Sequence, residues 1–193
     1  ETTDKLVIFA SNGRFYTISC DKLPGGRGDG EPIRLMIGLG NEYETISMFI
    51  LNPVQKLLVV SNTGRGFIVK QSDVVAQTKK GKQILNLEKG EEGAVASIVD
   101  KEADHIASVG QNRKLLIFPI EQLQQLSRGR GNFLQRFAQG CIADAKAFKL
   151  SDGLSWKAGQ RTRNEVDLNK WLGKRAQAGS KVPRGFSTTG KFG

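Results

Sequence analysis

The sequence is short of the residues that catalytic and metal centres use. It has one histidine, His105, and two cysteines, Cys20 and Cys141. The cysteines lie in apolar, strand-like surroundings without a Cys-x-x-Cys spacing, which argues against a zinc site or a disulfide framework and favours a reducing cytoplasm. There is no Ser/His/Asp set, no Cys/His pair and no Gly-x-x-x-x-Gly-Lys-Ser/Thr motif. We therefore expect no catalytic residue, metal or cofactor in this chain, and a structural strand position for His105.

Long apolar runs and a starting methionine are also missing. No run approaches the roughly 20 residues that a membrane-spanning helix needs. The first residues, Glu1 to Asp4, show no signal-peptide pattern. We interpret the chain as a single domain over residues 1–193 that is a fragment of a longer protein.

Negative charge is scarce relative to positive charge. The 193 residues include 29 Lys and Arg against 19 Asp and Glu, a net charge of +10. Such a balance favours a polyanionic partner, with DNA, RNA and an anionic membrane surface as the candidates. A basic surface that only interacts with solvent is the alternative interpretation.

The most regular feature is a unit that recurs about every fifty residues. Its first copy joins the strand-like runs 5–9 and 14–18 through Asn12-Gly13, a strong signal for a β-hairpin. Each copy places an arginine at the start of its second run, at Arg14, Arg65, Arg113 and Arg161. The repeats span about residues 5–55, 56–103, 104–153 and 154–186.

After each hairpin the sequence predicts a short turn and two further strands. An acidic residue marks each predicted turn, at Asp21, Asp73, Glu121 and Asp167. Third strands are predicted at 33–37, 83–87, 133–137 and 182–186, and fourth strands at 46–51, 94–99 and 142–148. In the last repeat, residues 167–175 have the apolar spacing of a helix. Four strands per repeat at this period are typical of propeller blades, so the sequence predicts an all-β, propeller-like disc that is open or truncated.

A basic, glycine-containing loop precedes each predicted third strand. The loops contain Arg27, the run Lys79–Lys82, the run Arg128–Gly131 and the run 174–181. Glycine allows a backbone to approach a surface closely, and arginine or lysine neutralises phosphates without reading bases. The first repeat is electrically neutral, whereas residues 154–193 carry nine basic and two acidic side chains. Routine charged turns facing solvent are the alternative interpretation.

Three stretches carry a resemblance to a known family. Residues 5–17, 23–35 and 154–186 resemble the C-terminal domain of bacterial type IIA topoisomerase A subunits, and the similarity extends over about residues 4–186. The resemblance is closer to topoisomerase IV than to gyrase. Residues 24–28 are a degenerate relative of the Gln-Arg-Arg-Gly-Gly-Lys-Gly box of gyrase, and no acidic tail follows Gly193.

The resemblance implies a β-pinwheel, which is a propeller-like disc of four-stranded blades that exchange strands with their neighbours. It also implies a non-catalytic domain whose basic outer rim binds and bends duplex DNA. Such a domain positions the transported segment for ATP-dependent strand passage in relaxation, decatenation and chromosome segregation. The family's catalytic tyrosine lies in another domain, so Tyr16 and Tyr43 are expected to be structural.

The implied setting is the nucleoid in a bacterial cytoplasm. Other domains would bind ATP and Mg²⁺. The protein partners would be the rest of the A subunit and a B subunit, which together form an A2B2 enzyme. The isolated domain is expected to be monomeric. Two alternatives remain, namely a DNA-wrapping domain of the kind found in gyrase, and a propeller-type protein interaction module. The predicted phosphate contacts are Arg27, Arg65, Lys79, Lys80, Lys82, Arg113, Arg128, Arg130, Arg161, Arg163, Lys174 and Arg175.

Overall fold

The computed structural model describes residues 4–22 and 35–193, which form a succession of antiparallel β-sheets. The strands are β1 (Lys5–Ala10), β2 (Arg14–Ser19), β3 (Thr45–Ile50), β4 (Lys56–Ser61), β5 (Arg65–Lys70), β6 (Lys82–Gln83), β7 (Gly93–Val99), β8 (His105–Gly110), β9 (Lys114–Pro119), β10 (Asn132–Phe133), β11 (Ile142–Phe148), β12 (Leu154–Ala158), β13 (Arg161–Glu165) and β14 (Ser180–Lys181). No helix in the described ranges is long and apolar enough to cross a membrane.

Each repeat begins with the predicted hairpin. The hairpins are β1–β2, β4–β5, β8–β9 and β12–β13. The first two turn at Gly13 and Gly64, whose φ angles of +81° and +94° suit glycine. In the third hairpin Arg113 adopts a positive φ of +61° instead. His105 is the first residue of β8, which confirms its predicted strand position.

One of the two outer strands of each four-stranded sheet comes from the following repeat. The strand orders are β3-β1-β2-β6, β7-β4-β5-β10 and β11-β8-β9-β14. Thus β6, β10 and β14 complete the sheets of the preceding hairpins, which is the strand exchange that the family resemblance implies. In the part of the chain that the structure describes, the fourth sheet contains β12 and β13.

The exchanged strands are shorter than predicted and begin earlier. The ladder in β6 and β10 spans two residues each, and β14 lies before the predicted strand at 182–186. The prediction is wrong here because Ile84, Leu85 and Leu134 turn from the ladder into the core, where their side chains are fully buried. In the first repeat residues 33 and 34 lie outside the described ranges, and the next two residues are helical rather than extended.

The predicted turns are mostly confirmed. Short 3-10 helices at Cys20–Lys22, Gln71–Asp73 and Ile120–Gln122 follow β2, β5 and β9. A further one at Leu150–Asp152, which the sequence did not predict, precedes β12.

The helix predicted over residues 167–175 is wrong. Its apolar spacing belongs to a turn in which the Trp171 N–H donates to the Leu168 carbonyl at 3.0 Å. This turn buries both side chains against β9, and Leu172 then forms a parallel bridge with Ile117.

Apolar cores lie between consecutive sheets because side chains alternate between the two faces of every strand. Phe9 and Phe15, with ring centres 4.8 Å apart, pack on Phe67 between the first and second sheets. Ile68 and Phe118 belong to the core between the second and third sheets. The third core gathers the tryptophans and phenylalanines of the last repeat. Each sheet is therefore fixed against its neighbours, and its outer edge carries the basic loops.

Candidate nucleic-acid interface

The exchanged strands place the basic loops along the outer edges of the sheets. Gln83 pairs with Arg14, Phe133 with Arg65, and Lys181 with Lys114. Because each exchanged strand is outermost in its sheet, the basic residues around it lie at that edge. The predicted contact Arg27 and the rest of its loop, 23–34, lie outside the described residues.

The loop at residues 79–82 is held by its backbone. The Gly38 N–H donates to the Lys79 carbonyl at 2.7 Å, and Arg14 Nη1 approaches the Lys80 carbonyl at 3.4 Å. Lys82 Nζ donates to the Asp73 carbonyl at 2.8 Å, although Lys82 as a whole is exposed. Lys79 and Lys80 are also exposed, so this loop presents positive charge on a fixed backbone.

The loop at residues 128–131 is attached to the loop before it in the disc. Gly129 accepts a bond from the Asn86 N–H at 2.8 Å and donates to the Ile84 carbonyl at 2.9 Å. Arg128 is exposed, whereas Arg130 is half-buried and forms an ion pair with Glu88. Of the two predicted contacts, Arg128 is therefore the freer to meet a ligand.

Glu91 lies near this ion pair and joins the loop to the second hairpin turn. Its carboxylate accepts hydrogen bonds from the hydroxyls of Ser61 and Thr63 and from the Glu88 N–H. Burial by itself raises the pKa of Glu91, but these hydrogen bonds and the charge of Arg130 outweigh that effect and hold the pKa below its ordinary value.

Two of the predicted phosphate-contacting arginines, Arg65 and Arg113, pack against the next repeat. The guanidinium carbon of Arg65 lies 4.6 Å from the centre of the Phe133 ring. That of Arg113 lies 5.7 Å from the Phe186 ring, and its Nη1 donates to the Ser187 carbonyl at 3.0 Å. With the Arg14 contact to Lys80, each recurring arginine of the first three hairpins reaches the segment that completes its own sheet.

The fourth repeat divides its basic residues between two places. Arg161 and Arg163 are exposed on β13, and Lys174 is exposed in the segment before β14. Arg175 is half-buried and points back to the third repeat, where its Nη1 donates to the Phe133 carbonyl at 2.9 Å. The structure thus brings Arg65 and Arg175 together at Phe133, whereas Arg161 and Arg163 lie on the two-stranded sheet of β12 and β13.

One basic residue at this edge was missed from the sequence. Arg136 is exposed, and its guanidinium carbon lies 5.3 Å from the Phe133 ring centre. It falls in the segment predicted as a strand rather than in a basic loop. Its position three residues after the aromatic residue that pairs with Arg65 is the signal that marks it.

Few of the basic groups are neutralised by carboxylates. Among the described residues, Arg130 forms an ion pair with Glu88, and His105 Nδ1 lies 2.8 Å from Asp104 Oδ1. Lys146 and Lys191 interact electrostatically with Asp144, whereas Arg14, Arg65, Arg113, Arg136 and Arg175 contact carbonyls or aromatic rings. Within residues 4–22 and 35–193 no group of three or more His, Cys, Asp or Glu side chains is placed to hold a metal ion.

The opposite ends of the strands carry a mixed charge. A cavity of about 1020 Å³ lies there and is lined by both basic and acidic residues, including Lys56, Lys101, Lys149 and Glu102. This end therefore contrasts with the outer edges, where basic residues predominate.

The sequence matches a known family. Residues 4–52 and 55–99 match the family described as "DNA gyrase C-terminal domain, beta-propeller". The chain is 43% identical to the A subunit of DNA topoisomerase 4 from Caulobacter vibrioides over 194 aligned residues, which cover 100% of this chain and 25% of that protein. It is 38% identical to the corresponding protein of Rickettsia bellii, covering 99% and 26% of the two chains. The chain thus spans about a quarter of the length of these relatives.

The fold matches a solved structure as well. The structure of the E. coli ParC C-terminal domain superposes with a TM-score of 0.80 at 26% identity, covering 97% of this chain and 79% of that one. The similarity extends over all four repeats described above.

Proposed function

Because this chain belongs to the family of C-terminal domains found in the A subunits of gyrase and topoisomerase IV, we propose that it binds and bends duplex DNA on the basic outer edges of its sheets. In this proposal the domain performs no catalysis and positions the transported DNA segment for a longer topoisomerase IV A subunit. Strand cleavage, ATP and Mg²⁺ belong to other domains of an A2B2 enzyme with a B subunit. The enzyme would act on the nucleoid in a bacterial cytoplasm, and its strand passage would serve relaxation, decatenation and chromosome segregation.

The observation that supports the proposal is a set of basic groups that recur along one edge and of which, among the described residues, only Arg130 has a carboxylate within 4.0 Å. The backbones of the loops at 79–82 and 128–131 are fixed by hydrogen bonds, so their exposed side chains are presented without much loss of loop entropy on binding. Lysine and arginine in this arrangement contact phosphates and release counterions, which gives affinity without base specificity.

The proposed contacts are the residues that the sequence predicted, together with Arg136. Arg65, Arg113 and Arg175 would act from positions braced against the exchanged segments, whereas Lys79, Lys80 and Arg128 would contact phosphates from the loops. Arg27 is kept as a proposed contact on sequence grounds alone.

The test is a salt titration of duplex binding with a charge-matched control. A triple variant, Lys79→Glu, Lys80→Glu and Lys82→Glu, is expected to lose most low-salt affinity and to flatten the salt dependence by about 0.9 per lost contact. The control variant changes Lys56, Lys101 and Lys149, which are exposed at the opposite strand ends, to Glu. Equal losses in the two triple variants would show that net charge, rather than the outer edge, governs binding.

The same titration on relaxed, positively supercoiled and negatively supercoiled circles tests bending. A domain that bends DNA distinguishes these circles at equal salt, since the curved or crossed segments that it stabilises differ among them. The alternative of a protein interaction module predicts no duplex affinity between about 50 and 200 mM salt. A gyrase-like wrapping domain would instead constrain supercoils in a relaxed circle after nicking and religation.

A further inference from the structure

Three arginines from three successive repeats meet at Phe133. Arg65 of the second repeat and Arg136 of the third place their guanidinium carbons 4.6 Å and 5.3 Å from the centre of the ring. Arg175 of the fourth repeat donates from Nη1 to the carbonyl oxygen of the same residue at 2.9 Å. One residue of an exchanged strand is therefore the common contact of three positive charges.

The backbone, rather than these side chains, holds the three segments together. The Leu134 N–H donates to the Gly64 carbonyl at 2.8 Å, and the Ala176 N–H donates to the Leu134 carbonyl at 2.9 Å. The Arg136 N–H donates to the Gln177 carbonyl at 3.1 Å. Since main-chain bonds fix the geometry, the exposed guanidinium of Arg136 is available for another role.

The charges in this arginine cluster (Arg65, Arg136 and Arg175) are not compensated. No carboxylate of the described ranges lies within 4.0 Å of any of the three. Arg175 Nε is buried and has no hydrogen-bond partner among the described residues. Because Arg65 and Arg136 contact the same ring, their guanidinium carbons are at most about 10 Å apart. Like charges at such a separation in a partly buried place repel each other, and an unpaired buried donor is unfavourable, so both features favour binding of an anion.

The preceding junction has a similar backbone arrangement, but its described arginines do not share one contact residue. There the Asn86 N–H donates to the Gly129 carbonyl as Arg136 does to Gln177, and Gln83 occupies the pairing position of Phe133. There Arg130 is already paired with Glu88, although its Nε, like that of Arg175, is buried without a hydrogen-bond partner among the described residues, and Arg14 approaches the Lys80 carbonyl. The uncompensated cluster is thus a property of the junction between the second, third and fourth repeats and not of the repeat in general.

We propose that Arg65, Arg136 and Arg175 form a composite binding site for a phosphate group. Guanidinium groups bind phosphate oxygens through paired N–H donors, which a point charge such as lysine does not reproduce. The identification of the phosphate as one of the duplex backbone rests on the function proposed above. Because the site is assembled from three repeats, its occupancy also stabilises their strand exchange.

The first experimental arm uses inorganic phosphate and thermal unfolding. Relative to chloride at equal ionic strength, phosphate at about ten times its dissociation constant is expected to raise the Tm of the unaltered chain by a few degrees. The same shift is expected in Lys101→Gln, which removes an exposed charge from the opposite strand ends, and it should be lost in Arg136→Gln. Arg136→Lys should recover only part of it, since lysine keeps the charge but not the paired donors.

The second arm measures binding of a short duplex. Arg136→Gln is expected to weaken binding about tenfold near 50 mM salt and to lower the salt slope by about 0.9, while Lys101→Gln leaves both nearly unchanged. If Arg136→Gln and Lys101→Gln behave alike in both arms, the composite site is refuted and the wild-type duplex affinity still supports the proposed function. If the unaltered chain binds no duplex, the proposed function fails, and the phosphate arm alone decides whether the cluster is an anion site.

Discussion

Replacing Gly131 by alanine tests whether the exchanged strand β10 depends on a close backbone approach. Gly131 precedes β10 and has a φ of +71°. A Cβ placed there would lie 2.0 Å from the Gly66 carbonyl oxygen and 2.4 Å from its carbon. Both atoms belong to the main chain of β5, so the overlap is relieved only if the two strands separate.

Gly159, in the turn between β12 and β13, provides the matched control. Its φ of +67° is nearly the same, but a Cβ there would meet nothing within 4 Å. A positive φ costs alanine about 1–2 kcal/mol, which applies to both variants. The overlap at Gly131 adds about 1–3 kcal/mol, by analogy with overpacked cores.

The measurement is urea or thermal unfolding of both variants. We expect Gly131→Ala to be less stable than Gly159→Ala by roughly 2 kcal/mol, or about 4–8 °C in Tm for a chain of this length. In Gly131→Ala, native-state hydrogen exchange should increase most, relative to the unaltered chain, in the ladder between β5 and β10, because that is where the strain is relieved. If the two variants unfold within about 0.5 kcal/mol of each other, the strand exchange does not depend on this contact.

Three further changes test separate contacts. Glu91→Gln should lower the free energy of unfolding at pH 7, because the folded state holds the pKa of Glu91 below its ordinary value of 4.5. The stability difference between the variant and the unaltered chain should be fully present above pH 4.5 and should shrink as the pH falls through the folded pKa. Unfolding curves measured between about pH 7 and 3 would show this. Gln135→Leu should lower the free energy of unfolding in urea by about 1–3 kcal/mol. The fully buried amide of Gln135 donates to the carbonyls of Lys114 and Ala178, and the substitution leaves both carbonyls without that donor. Phe192→Ala should cost about 3 kcal/mol, measured in the same way, because the ring is 4% exposed and packs within the last core; an unchanged midpoint would mean that the C-terminal segment contributes nothing to that core.

The repeats, hairpins and inner strands were predictable from the sequence because they depend on local patterns. Alternating or continuous apolar runs and turn glycines such as Gly13 and Gly64 are visible without any partner strand. The acidic turns after β2, β5 and β9 are equally local.

The exchanged strands were harder to place because their partners lie in another repeat. Nothing local distinguishes Lys82 and Gln83, which pair with β2, from Ile84 and Leu85, which enter the core. The family resemblance implied that strands are exchanged between repeats, but the residues that pair became clear only from the structure.

For the candidate interface, the sequence indicated which loops are basic but not how their side chains are placed. Basic residues near glycines led to Lys79, Lys80 and Arg128, which are exposed as expected. The same reasoning did not distinguish Arg65, which packs on a ring, and it missed Arg136, since the contact of both with Phe133 depends on the exchanged register.

The strand exchange also sets an order of events during synthesis on the ribosome. A hairpin can form as soon as it emerges, but the outer edges of β2, β5 and β9 must wait for roughly 60 further residues before β6, β10 and β14 appear. At elongation rates of about 5–20 residues per second, each edge stays open for several seconds. An open edge is a template for aggregation, and a charged residue at its start, Arg14, Arg65 or Lys114, counters that hazard. Each repeat thus completes its predecessor, and the nascent domain always carries one unfinished sheet.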